Sequence, residues 1–264
     1  MRTAIVTGGT CKDTDAMAVL ALNLHEVSPN FADELIIFHD GIAPKKQELI
    51  SRIMPTRFVT YKCPINWFRL MSNKTIRYFS PMIFCKYECL HLLEEFDTVI
   101  WTDYDIVIKQ SIDEIKYFSE DMSFMVNEDK PLRSMFYPTI ESEDMKMFDL
   151  DGESIATPLF VFHNSLSEYE KLYQWCYENT IKYLRHLYLP EQCIITMMTQ
   201  HFRLEYLKMQ IPIYCMHPKE ALPDTKILHA YGQPKYWNGL QNDIWNDYFE
   251  EWKRMQKIKI CMWR

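Results

Sequence analysis

The chain has 264 residues, a formal charge of −7, 48% apolar and 14% aromatic side chains, enough for one large domain with a real core. The acidic balance argues against generic nucleic-acid binding, and six glycines are too few for a Gly-rich phosphate loop. No stretch approaches the roughly eighteen uninterrupted apolar residues of a membrane span, and the N-terminus reads as a core strand rather than a signal peptide.

Residues 3–7 are a short β-rich run closed by Gly8-Gly9-Thr10. Residues 13–26 follow, with Met17, Leu20, Leu24 and Val27 spaced for one helical face. Residues 34–39 predict a second buried strand, 44–54 a helix with Pro44 at its start, and 57–61 a third strand. This β-α-β-α-β opening predicts an α/β architecture, a mostly parallel sheet flanked by helices. Residues 62–80 are irregular and aromatic-rich, and 81–96 predict a helix running into the next strand. Cys85 and Cys89 share a face of that helix, but no C-x-x-C pair exists and nothing completes a zinc site. Without a secretory signal, the cysteines read as reduced thiols of a cytoplasmic protein.

The chain is organised around Val99-Ile100-Trp101-Thr102-Asp103-Tyr104-Asp105-Ile106-Val107-Ile108. In an extended backbone, residues i and i+2 share a face, so Asp103 and Asp105 are expected to project together. Two such charges repel unless a cation lies between them, and hard oxygen ligands suit Mn²⁺ or Mg²⁺. Asp13/Asp15 and Asp149/Asp151 repeat the spacing, but only the middle pair follows a run that reads as a buried strand. In open α/β sheets, ligands sit beyond the carboxyl ends of strands, where this pair falls.

Ser111-Ile112-Asp113-Glu114-Ile115 carries a capping-box pattern, residues 123–127 predict a strand, and 129–154 predict a mobile loop region. Residues 158–162 predict a buried strand and 165–186 a long helix; Pro190 starts another helix through Glu191, Gln192, Ile195 and Met198. Residues 203–215 and 226–230 have strand character. His229 leaves the last of these; Gly232 lets a backbone approach a ligand, and Lys235 offers a point charge suited to phosphate. An imidazole joins two carboxylates on Mn²⁺ readily, so Asp103, Asp105 and His229 predict a three-ligand site with open positions for a diphosphate. In residues 241–264, Trp245, Tyr248, Phe249, Trp252 and Met255 form one helical stripe. Residues 252–264 hold five basic side chains and no acidic one. This tail reads either as a helix packed on the domain or as a peripheral membrane contact through aromatics and cations.

These segments together resemble glycosyltransferase family 8, the retaining group that includes glycogenin and bacterial lipopolysaccharide galactosyl- and glucosyltransferases. The acid pair matches that family's Asp-x-Asp motif. Its closing motif, His-x-x-Gly-x-x-Lys-Pro-Trp, is met by His229, Gly232, Lys235 and Trp237, with Tyr236 in place of Pro. Phe84-Cys85-Lys86-Tyr87 resembles the segment whose basic residue reaches the nucleotide sugar, which points to Lys86. Pro190-Glu191-Gln192 resembles the Asp-Gln pair beside the anomeric carbon, with Glu for Asp. Residues 155–161 resemble an Asn-Ser/Ala-Gly-Val segment but lack its Asn and Gly. The resemblance implies a GT-A fold over residues 1–240 with an appended tail at 241–264. It also implies a UDP-sugar donor held by Thr7, Gly8, Gly9, Lys86, Asp103, Tyr104, Asp105, Gly232 and Lys235, with Glu191, Gln192 and Lys235 acting on the reaction. The implied acceptor is a glycan, glycolipid or protein.

Other readings compete. A haloacid-dehalogenase-type phosphatase also begins from an apolar run ending Asp-x-Asp, but its motif normally lies near the N-terminus and requires a second acidic pair. Val6-Thr7-Gly8-Gly9-Thr10-Cys11 resembles a dinucleotide-binding turn but lacks the third Gly. A catalytically inactive sugar-nucleotide binder is the third alternative, kept open by Ala156, Pro158 and Tyr236.

Overall fold

The computed structural model describes residues 1–138 and 143–257. Its strands are β1 (Thr3–Gly9), β2 (Glu34–His39), β3 (Thr56–Thr60), β4 (Thr98–Thr102), β5 (Ile106–Ile108), β6 (Met122–Pro131), β7 (Glu153–His163), β8 (Leu207–Met209) and β9 (Ile227–His229). Seven form one sheet in the order β3-β2-β1-β4-β7-β6-β8, and β5 and β9 pair separately. Strands β3, β2, β1 and β4 are parallel neighbours, β7 runs antiparallel to both β4 and β6, and β8 is parallel to β6.

The helices are α1 (Thr14–Val27), α2 (Pro44–Ser51), α3 (Trp67–Leu70), α4 (Lys74–Phe79), α5 (Glu88–His91), α6 (Tyr169–Tyr183), α7 (Pro190–Phe202), α8 (Ile211–Tyr214) and α9 (Asp243–Lys257). The first strands are apolar at nearly every position because both faces are covered. Ala4, Val6, Ile36 and Phe38 pack into a core shared with α6 and α7, while Ile5, Leu35 and Ile37 pack toward α1, α2 and Trp252 of α9. That is the two-residue period of a sheet buried between helical layers.

The chain steps from β1 outward to β2 and β3, then returns to the other side of β1 to form β4. The direction of winding therefore reverses between β1 and β4, the place where open α/β sheets leave a crevice at the strand ends. The buried strand expected before the acid pair is present as β4, which ends at Thr102; residues 103–105 then bend, so the pair is not in extended backbone, and β5 enters the second sheet.

Other elements also differ from expectation. Residues 62–80 contain two short helices, α3 and α4, each capped by an asparagine side chain, Asn66 and Asn73. Residues 81–96 are not one α-helix: Pro81–Tyr87 and Leu92–Glu94 are 3-10 turns flanking α5. Phe84, Tyr87, Leu90 and Leu93 are all buried, and their three-residue spacing suits the tighter winding. Within 129–154, the described residues form the end of β6 and two 3-10 turns that bury Leu132, Met135, Met145 and Phe148. Residues 139–142 of that expected loop lie outside the described residues. The strand character read at 203–215 resolves into the short β8 and then α8.

The tail forms α9, which lies against α1. Trp245 and Trp252 are buried, and Trp252 Nε1 donates to Asp15 Oδ1 at 2.9 Å. The aromatic stripe thus faces the domain; residues 258–264 of the tail lie outside the described residues. No helix among the described residues is long and apolar enough to cross a membrane.

Candidate active site

Strand register assembles the acidic cluster. In the small sheet Ile106 pairs with His229, and Ala230 N donates to Asp105 O at 2.9 Å, so residues 105 and 229 meet by backbone pairing. Asp103 is anchored from the other side, its N–H donating to Pro158 O of β7 at 2.8 Å. His229 Nε2 then lies 3.2 Å from Asp105 Oδ1 and 3.8 Å from Asp103 Oδ2. One ligand atom from each of the three residues falls within 4.8 Å of the others. Adjacent ligands of a six-coordinate ion at 2.0–2.1 Å are separated by about 3 Å, so this donor set fits Mg²⁺ or Mn²⁺ with little adjustment.

The remaining atoms of these residues are tied down. Asp103 Oδ1 accepts from Trp101 Nε1 at 2.9 Å and faces Lys86 Nζ at 3.1 Å. His229 Nδ1 lies 3.3 Å from Cys215 Sγ, a contact that turns Nε2 toward the aspartates. Lys235 Nζ pairs with Asp105 Oδ2 and also donates to Ala230 O at 2.6 Å. Burial works to raise the Asp105 carboxyl, but the charges of His229 and Lys235 outweigh it and hold it well below the usual carboxylate range. His229 is pushed the other way: burial lowers it, while Asp105 and then Cys215 raise it well above its ordinary value.

Lys86 is buried beneath the cluster. Its ammonium donates to Thr157 O at 3.1 Å and Thr157 Oγ1 at 3.2 Å, and pairs with Glu191 Oε1 at 3.3 Å. Burial opposes its charge, but Asp103 and Glu191 together raise it above the ordinary lysine value. Glu191, at the first turn of α7, is itself buried, whereas its neighbour Gln192 is only half-buried. Thr157 stands in the segment that lacks the expected Asn and Gly, and its hydroxyl also donates to Glu191.

These groups open onto a cavity of about 750 Å³. Gly8, Gly9, Lys86, Asp103, Tyr104, Asp105, Glu191, Gln192, His229, Gly232 and Lys235 all line it. Thr7 does not; it is fully buried in β1, and its hydroxyl has no partner among the described residues. Gly9 is needed by close approach, since a Cβ there would lie 2.8 Å from the Tyr104 ring. Gly232 is needed by its backbone, with φ of +74°.

The cavity also takes residues that sequence reading passed over. Lys12 and Asp13 line it, and Asp13 Oδ2 accepts from Thr10 N and Oγ1 at 2.8 and 2.7 Å. Arg77, Tyr78 and Phe79 form another part of the wall. Asp13 belonged to a visible Asp-x-Asp triplet, but the preceding run gave no hint that its first member alone would face the cavity. Tyr236, where the family motif has Pro, turns away: it is buried and stacks on Trp245 of α9, with centroids 5.9 Å apart. Trp237 instead stacks on Tyr104 at the cavity rim.

A phosphatase-type second acidic pair is not assembled: among the described residues, the group able to hold a metal with Asp103 and Asp105 adds only His229. The family model for Glycosyl transferase family 8 matches residues 14–240. Among solved structures, the chain resembles the galactosyltransferase LgtC in complex with donor and acceptor sugar analogues, with a TM-score of 0.68 and 12% identity, covering 97% of this chain and 98% of that one. It resembles the bifunctional glycosyltransferase WbbM with a TM-score of 0.68 and 12% identity, over 97% of this chain and 51% of that one. For GlyE of Streptococcus pneumoniae the values are 0.63 and 16%, over 97% and 62%. A search of curated proteins gives no match. At such identities the likeness is one of fold, the GT-A arrangement of a mostly parallel sheet flanked by helices.

Proposed function

The chain belongs to glycosyltransferase family 8, and from that premise we propose that it moves a hexose, glucose or galactose, from a UDP-sugar to a glycan, glycolipid or protein acceptor. The transfer retains anomeric configuration and depends on Mn²⁺ or Mg²⁺. The observation that carries this reading is the convergence of Asp103, Asp105 and His229 on one point of the cavity, flanked by Lys86 and Lys235. Residues 1–240 form the catalytic domain in this reading, and 241–264 are appended to it.

Asp103, Asp105 and His229 would hold a divalent cation, which would supply Lewis-acid neutralisation of charge on the departing diphosphate. The chain's own residues do the rest. Gly8 and Gly9 let the nucleotide lie close to the end of β1, beside Tyr104. Gly232 admits the diphosphate near the backbone, and Lys235 adds fixed positive charge that counts for more as the bond lengthens. Lys86, held by Glu191 and Thr157, grips the bound donor. Gln192, with its side chain at the cavity wall, is the better placed of the α7 pair to stabilise an oxocarbenium-like sugar. Glu191 acts through its ion pair with Lys86.

The protein works in the cytoplasm in this reading, and the aromatic stripe of the tail packs on the domain rather than on a membrane. A panel of nucleotide sugars with Mn²⁺, scored for nucleoside diphosphate release, tests the proposal. UDP-glucose or UDP-galactose is expected to turn over, and chelation to stop it. Release of phosphate from a generic ester with no UDP-sugar turnover would contradict it.

A further inference from the structure

Residues 62–80 are pinned from below and bare above. Asn66 Oδ1 accepts from Phe68 N and Arg69 N to cap α3. Asn73 Oδ1 accepts from Thr75 N and Ile76 N to cap α4, and its buried Nδ2 donates to Leu184 O and Leu187 O at 2.6 and 2.8 Å. Leu70 and Ile76 supply the apolar anchors. The same short helices nevertheless hold Trp67, Phe68, Tyr78 and Phe79 out at 60%, 84%, 66% and 49% exposure. Tyr188, next to the segment that Asn73 grips, is 49% exposed. A cluster of large exposed rings on a fixed support marks an interaction surface rather than loose packing.

The charge on this face is as one-sided as its hydrophobicity. Residues 49–87 contain no Asp or Glu in a chain of net charge −7. Lys62, Arg69, Lys74 and Arg77 are exposed there, and Arg185 stands beside Leu184. Among the described residues none of these five cations is ion-paired, whereas Lys46, Lys208 and Lys226 elsewhere each hold a carboxylate. We propose that α3, α4 and the adjoining 185–188 segment dock on an anionic lipid bilayer. The rings enter the interfacial layer, and the unpaired cations meet the headgroups. A lipid interface takes both without a complementary shape, and Trp and Tyr favour that depth. The docked face continues into the cavity wall at Arg77, Tyr78 and Phe79, and Gln233 Nε2 donates to Tyr78 Oη at 3.2 Å across the rim. The cavity then opens toward the membrane, so its acceptor class is lipid-borne.

Vesicle binding needs no donor and no turnover, so it is tested separately from the transfer reaction. Full-length protein is mixed with phosphatidylcholine vesicles with and without phosphatidylglycerol, and the bound fraction is read by flotation. Binding is expected only with phosphatidylglycerol, weakening with salt. Each cation removed is expected to lower affinity by about fivefold. Arg69→Gln with Lys74→Gln, and separately Trp67→Ser with Phe68→Ser, should both reduce binding while thermal melting and turnover of a water-soluble acceptor stay at wild-type values. Wild-type binding in both double variants would overturn the proposal. So would loss of binding only on Lys253→Gln with Lys257→Gln, which would place the contact in the tail. Self-association abolished by Trp67→Ser with Phe68→Ser, without any vesicle binding, would assign the face to a second copy and equally overturn it.

Discussion

Lys86 is a buried ammonium, and the acceptors around it explain how the fold tolerates one. Asp103, Glu191 and Thr157 surround its nitrogen, so the charge exchanges water for anions rather than for apolar groups. Removing one of those anions is therefore costly: Glu191→Ala is expected to lower stability by about 3 kcal/mol in urea unfolding. Glu191→Gln, which keeps an acceptor, should cost less; an unchanged midpoint in the alanine variant would show that the pair contributes nothing. Asp103 and Asp105 differ from Glu191 because each turns one carboxylate oxygen toward His229 at the cavity. Asp103→Asn or Asp105→Asn should reduce turnover by on the order of a hundredfold, with circular dichroism unchanged. Full activity in either variant would remove the metal from the mechanism. Gly9→Ala is a steric counterpart, since its methyl would press on Tyr104; it should raise the KM for donor more than it lowers kcat.

At the scale of elements, α9 and the end of β2 make separate predictions. Trp252 is fully buried between α9 and the α1 side of the sheet and donates to Asp15. Trp252→Ala should lose about 3–5 kcal/mol by denaturant unfolding, the loss typical of an emptied aromatic site. A variant as stable as wild type would make α9 a separable appendage. At the end of β2, His39 Nδ1 accepts from Ile42 N at 3.1 Å, which requires that nitrogen to be unprotonated. Burial lowers its pKa from the ordinary 6.5, with Asp40 opposing in part. The unfolded chain therefore takes up this proton first as pH falls through 6.5, and stability is lost from there down to the folded pKa. Unfolding midpoints at pH 7.5 and 5.5 should differ less in His39→Gln than in wild type; an equal difference would show that His39 does not titrate between the two states.

For the whole molecule, the reversal of winding between β1 and β4 fixes where a ligand can lie, and the second small sheet decides what waits there. The first half of that statement was legible in the sequence. Short β-rich runs at 3–7, 34–39 and 57–61, separated by helix-period segments, predicted the parallel opening, and Asp103 and Asp105 were visible at a strand end. What stayed hidden were consequences of pairing between distant segments. Nothing local to residue 106 says that it will pair with residue 229, and nothing local to residue 215 says that its thiol will orient an imidazole. The inward turn of the Trp245 and Trp252 stripe was also undecidable, because a packed helix and an interfacial one share the same periodicity. Residues 62–80 looked irregular because their helices are single turns set by asparagine caps rather than by hydrophobic period. The central claim is that Asp103, Asp105 and His229 together hold the cation that a UDP-sugar needs. Titration of Mn²⁺ followed by electron paramagnetic resonance, with and without UDP, tests it most directly. Wild-type protein should take up a single Mn²⁺ that UDP tightens, and Asp105→Asn or His229→Ala should weaken it by about tenfold or more. Equal Mn²⁺ uptake by wild type and both variants would contradict it.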